Sequence, residues 1–181
     1  MHEFPRLLAL GLLAAALSPL DPGWAQGVGQ VTTTLTVKGS VEREITLTVD
    51  ELKRLPVQRV DDVRSVRDAA AASPSSETTR HYVGCLLRDV LERAKPVEKK
   101  RLDFRKSIVI ATAGDGYRAI FSWAELYLSP IGDGALVVYE RDGAPLADDE
   151  GKIALVSLKD TRPGPRHVKW LQSIELRVLG D

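Results

Sequence analysis

The chain has 181 residues, with 25 Lys and Arg against 25 Asp and Glu, and a mean hydropathy of −0.11. That balance argues against a nucleic-acid binder, which needs a basic excess or stripe, while the length suits one domain with a substantial core. Cys85 is the only cysteine, so no internal disulfide forms, and with the distant His81 and His167 it makes no metal-ligand cluster.

At the N-terminus Arg6 precedes an apolar run from Leu7 to Leu17, and Gly23-Trp24-Ala25 places small residues three positions and one position before a cut. This is a secretory signal pattern with cleavage expected after Ala25. Ser18, Pro19 and Asp21 interrupt the run short of the roughly 18 apolar residues that a membrane span needs. Arg6 stands alone, so a general secretion route is expected rather than a twin-arginine one. Residues 1–25 are thus expected to be a signal peptide, residues 26–181 a single domain, and the protein periplasmic or secreted. Cleavage removes Glu3, Arg6 and Asp21 and leaves 24 basic and 23 acidic residues. No membrane span is expected after it.

Val31 to Val37 alternates apolar and polar residues and predicts a half-buried strand. Lys38-Gly39 turns it, and Ile45 to Leu47 begins another. Thr48 with Glu51 forms a capping-box pattern, predicting a short helix through Arg54 that stops before Pro56. Residues 57–80 form a variable loop region: Val57 to Val66 suits a strand extension, and Asp68 to Thr79 a surface loop. Leu86, Leu87, Val90, Leu91 and Ala94 share one helical face opposite Arg88, Asp89, Glu92 and Arg93. Ile108 to Ile110 predicts a buried strand, Gly114-Asp115-Gly116 a tight turn and Tyr117 to Phe121 the return strand. Ser122 and Glu125 repeat the capping box before a second short helix. Ala135 to Tyr139, the Asp142-Gly143 turn, Ile153 to Leu158 and Ser173 to Leu179 complete the strands. The fold class is α+β, with mixed and antiparallel β-sheets and short packing helices.

The chemistry-bearing stretch is Gly164-Pro165-Arg166-His167-Val168-Lys169-Trp170-Leu171. Arg162, Arg166, His167 and Lys169 suit an anion site built with backbone amides of the Gly164 loop, stiffened by Pro163 and Pro165; the alternative is a solvated basic turn. Asp115 is either a ligand-contacting carboxylate or a turn residue. Cys85, beside Leu86 and Leu87, suits a small buried side chain, or a reactive thiol if exposed.

Four segments in order resemble the sulfite-oxidase-type molybdopterin-binding domain. They are Leu35 to Gly39 with Leu47 to Leu52; Tyr82-Val83-Gly84 with Leu87-Arg-Asp-Val-Leu91; Ala113 to Tyr117; and Tyr139 to Leu146 leading into Gly164 to Leu171. The resemblance implies that fold and a molybdopterin cofactor, with Asp115 and Lys169 at positions that hold the pterin and its phosphate. It also implies a molybdenum-ligating cysteine between the opening helix and the aromatic-x-Gly motif, where residues 57–80 contain none. The family's pocket His falls at Glu150 and the Arg after it at Leu155. A carboxylate in place of a cation beside a phosphate reverses the sign of the interaction.

The functional expectation is an exported, degenerate and non-catalytic member that binds a small anionic ligand or a protein partner, with no catalytic residue, no metal ligand and no cofactor. The candidate ligand residues are Asp115, Arg162, Arg166, His167 and Lys169. The alternative is a molybdopterin-dependent oxidoreductase with atypical ligation, and a third possibility is thiol chemistry at Cys85.

Overall fold

The computed structural model describes residues 31–66, 76–162 and 164–180. The signal-peptide expectation, Pro163 and residues 67–75 lie outside them. Among the described residues ten strands form two five-stranded sheets. Sheet one runs β2 (Ile45–Thr48), β1 (Thr34–Gly39), β10 (Leu171–Val178), β5 (Ser107–Ala113), β6 (Arg118–Ser122). Its pairs are antiparallel except β1 with β10, which run parallel with Thr36 opposite Ser173. Sheet two runs β3 (Val57–Val66), β4 (Ser76–Leu86), β7 (Ala135–Arg141), β8 (Ala144–Pro145), and β9 (Ala154–Ser157) shares the free edge of β7.

Both capping boxes form. The Thr48 hydroxyl accepts from the Glu51 amide and starts α1 (Val49–Leu52), which ends two residues sooner than expected; Ser122 and Glu125 start α3 (Trp123–Leu128). Helix α2 (Leu87–Ala94) buries Leu87, Val90, Leu91 and Ala94 and ends at Lys95, in the left-handed region, just before Pro96. Each of the larger three contributes about 1.5–3 kcal/mol by leaving water.

The main core lies between the sheets and against α2, joining Leu35 and Val37 to Val109, Phe121, Val137, Leu155 and Ile174. A smaller cluster on the far side of sheet two packs Tyr82 and Leu86 with Leu136, Val138 and Val156. Strand β7 is therefore buried on both faces, and its residues run apolar without alternation.

Gly84 explains the aromatic-x-Gly motif. A Cβ there would lie 2.3 Å from the Val137 carbonyl oxygen, at the point where the β4–β7 register shifts. Val57 to Val66 forms the strand expected of it, but the description of 57–80 as a variable loop region needs correction: Ser76 to Thr79, expected as loop, begin β4, and the two strands pair from Val57 with Cys85 to Val66 with Ser76. Among the described residues no helix is long and apolar enough to cross a membrane.

Candidate functional site

The basic loop is held against sheet two before it enters β10. Val168 exchanges both backbone hydrogen bonds with Leu155 on β9, at 2.8 and 2.9 Å, and the Leu171 amide donates to Ile153. Opposite it, the turn from Ala147 to Gly151 closes with the Glu150 amide on the Ala147 carbonyl. Gly151 takes φ +77°, and a Cβ would stand 2.8 Å from the Cα of Trp170, so only glycine fits. Trp170 itself has φ +48°. It donates its amide to the Glu150 carbonyl and its indole N–H to the Asp148 carbonyl, both at 2.8 Å. Two left-handed residues, back to back, thus fix Glu150 beside His167 and Lys169.

Glu150 is only 5% exposed. Its Oε1 accepts from Arg141 Nη1 at 3.0 Å and lies 3.2 Å from Lys169 Nζ, while Oε2 is 2.9 Å from His167 Nε2. Burial opposes its ionisation most strongly. The hydrogen bond and charge of His167, then those of Lys169, outweigh burial and hold the carboxyl at about 2. The carboxylate is therefore ionised at neutral pH, held between Arg141, His167 and Lys169.

Arg166 belongs to a separate cluster. Its Nε donates to Asp160 Oδ2 at 2.8 Å, a second guanidinium nitrogen meets the other Asp160 oxygen, and Nη1 reaches Glu125 Oε1 at 3.1 Å. The guanidinium also lies 4.3 Å from the Phe121 ring centroid. Glu125 is the capping-box acid of α3, so Arg166 ties the loop to a helix start. Such a bidentate, stacked guanidinium acts as a structural cross-link.

Asp115 is exposed and accepts the Tyr117 amide at 2.9 Å, as a turn residue does. Its turn nevertheless lies against the basic loop: the Gly114 amide donates to the Trp170 carbonyl, and the Tyr117 hydroxyl to that of Pro165. Arg162 is exposed and makes no ion pair among the described residues. The structure thus brings His167 and Lys169 together on Glu150, turns Arg166 away to Asp160, and leaves Asp115 and Arg162 at the surface. Arg141, Glu125 and Asp160 complete the two clusters and were not among the expected site residues. The sequence marks Glu125 only as a capping-box acid and does not mark Arg141 or Asp160, because each contact spans a different stretch of chain.

Residues 25–178 match the family model described as the oxidoreductase molybdopterin binding domain. The chain belongs to this family. Its fold is similar to the crystal structure of the sulfane dehydrogenase SoxCD from Paracoccus pantotrophus, with a TM-score of 0.62 at 17% identity. The likeness covers 81% of this chain but 38% of that one, so this molybdopterin-binding domain spans well under half the length of its structural neighbour. No curated protein matches it.

The residues present do not fit a pterin bearing molybdenum held by a protein thiolate. Cys85 is wholly buried, with Sγ 3.9 Å from the Val137 carbonyl oxygen, and burial pushes its thiol up to about 12. At neutral pH it offers no thiolate, and the thiol chemistry considered for Cys85 is corrected by the same burial. Among the described residues no three His, Cys, Asp or Glu side chains are grouped to hold a metal ion. Lys169, which the family resemblance assigns to the cofactor, is engaged with a buried carboxylate.

Proposed function

We propose that this molybdopterin-binding domain is an exported, non-catalytic member of its family, a cofactor-free binding module rather than an oxidoreductase. The observation that carries the proposal is the buried Glu150 carboxylate, which pairs with Lys169, the cation that the resemblance assigns to the cofactor, and also engages Arg141 and His167. Seating a phosphate there requires either expelling a buried carboxylate or setting two anions side by side, and both are costly. The same closure favours a protein partner over a small anion, because of the loop's cations only Arg162 is without an ion pair among the described residues.

A second reading, a molybdopterin-dependent oxidoreductase with atypical ligation, is favoured by the family match across nearly the whole chain. Elemental analysis for molybdenum, with pterin fluorescence after oxidative release, separates the two on protein taken from its native host. Neither group present is the expected result. Molybdenum and pterin near one per chain overturn the proposal. N-terminal sequencing of the same preparation tests export, with glutamine 26 expected as the first residue.

A further inference from the structure

Positive charge is concentrated at one end of sheet one, where the chain turns from α2 into β5. Over residues 98–106 it reads Glu-Lys-Lys-Arg-Leu-Asp-Phe-Arg-Lys, five cations in a chain whose 25 bases and 25 acids balance overall. Lys99, Lys100, Arg101 and Arg105 are exposed, and none has an ion pair among the described residues. Of the two acids, Glu98 is exposed, while Asp103 is 7% exposed and accepts the Lys100 amide at 2.7 Å, so its carboxylate is turned inward. The turn is rigid: Arg105 N–H donates to the Leu102 carbonyl, the Ser107 hydroxyl to that of Asp103, and the Phe104 ring stacks on Trp123 at 4.1 Å.

At its apex stands Leu102, 42% exposed and with φ +72°. A left-handed position suits Gly or Asn, and a branched apolar residue there is strained. The exposed part of this leucine is held out from the turn and is available to a surface outside the molecule. A second leucine, Leu179, is 46% exposed and donates its amide to the Lys106 carbonyl, which places it beside the same turn.

We infer that this basic turn docks on an anionic lipid surface, with Leu102 and Leu179 entering the headgroup boundary and the cations meeting lipid phosphates. Clustered Lys and Arg around exposed apolar side chains are the combination that such a surface recognises. A single-stranded nucleic acid would be expected to use exposed aromatic platforms, and the one aromatic of the turn, Phe104, is stacked inward on Trp123. The inference is independent of cofactor content.

The test is co-sedimentation of the full chain with phosphatidylglycerol–phosphatidylcholine vesicles and with pure phosphatidylcholine vesicles, comparing the native protein with a Lys99→Glu, Lys100→Glu, Arg101→Glu variant. Binding to the pure phosphatidylcholine vesicles reports the share of the N-terminal apolar run, common to both chains, and only the excess affinity for anionic vesicles is compared. Binding to the anionic vesicles is expected to be salt-sensitive and to fall about tenfold or more on charge reversal. Leu102→Gly separates docking from folding: it relieves the backbone strain, so its Tm is expected to hold or rise while vesicle binding falls several-fold. The inference is overturned if the charge-reversed or Leu102→Gly chain binds as the native one does. It is equally overturned if millimolar inorganic phosphate or duplex DNA displaces the native chain as effectively as added anionic vesicles, since the ligand would then be soluble.

Discussion

Replacing Glu150 by Gln removes the one anion that Arg141, His167 and Lys169 share. The variant is expected to lose about 2 kcal/mol, less than the full penalty for breaking a buried pair because Lys169 is partly solvated. The pH dependence has a definite sign. The carboxyl is held at about 2 against an ordinary 4.5, so its contribution is fully present above 4.5 and is lost as the pH falls toward 2. Urea unfolding between pH 6 and pH 2.5 should show this loss in the native chain and not in the variant. Added inorganic phosphate should raise the variant's Tm and leave the native Tm at its ordinary salt response; an equal rise in both would contradict a site closed by Glu150. At Cys85 a thiol reagent should react only after denaturation, since a buried thiol near 12 has almost no thiolate at pH 8.

At the scale of elements, Gly84 is the sharpest constraint. Gly84→Ala puts a methyl group into the Val137 carbonyl and should separate β4 from β7, costing about 3 kcal/mol or more. A urea midpoint unchanged from the native value would show that the bulge can absorb the methyl group. The two capping boxes and the apolar face of α2 were readable in advance because their signals are local, a hydroxyl three residues before a carboxylate and a 3.6-residue stripe. The β3–β4 hairpin was readable only in its first strand, Val57 to Val66. Strand β4 meets β7 only from Tyr82 to Leu86, so the outer part of the hairpin is two-stranded. On β4 the polar run from Ser76 to the exposed His81 shows no apolar alternation to betray a strand. The site was legible in the same partial way. The cations of residues 162–169 lie side by side in the sequence, whereas the acids that sort them, Glu150, Asp160 and Glu125, are brought in by the fold. Glu150 stood out as the residue where the resemblance expects a histidine, but its burial came only with the packing of Gly151 on Trp170.

At the scale of the whole molecule, the family's order of segments places the fold, and the closed Glu150 cluster carries the proposal that the fold no longer runs the family's chemistry. The parallel pairing of β1 with β10 has a kinetic meaning as well. Thr36 sits opposite Ser173, and β10 is the only link within sheet one between β1–β2 and β5–β6. Until residues 171–178 arrive, sheet one exists as two separate ribbons, each marginal in water. Loop closure over that distance is slow, so in a chain emerging from the ribosome N-terminus first, sheet one stays open until residues 171–178 have been made. Strand β10 is thus the latch of sheet one, and without it neither ribbon has a partner across which to close.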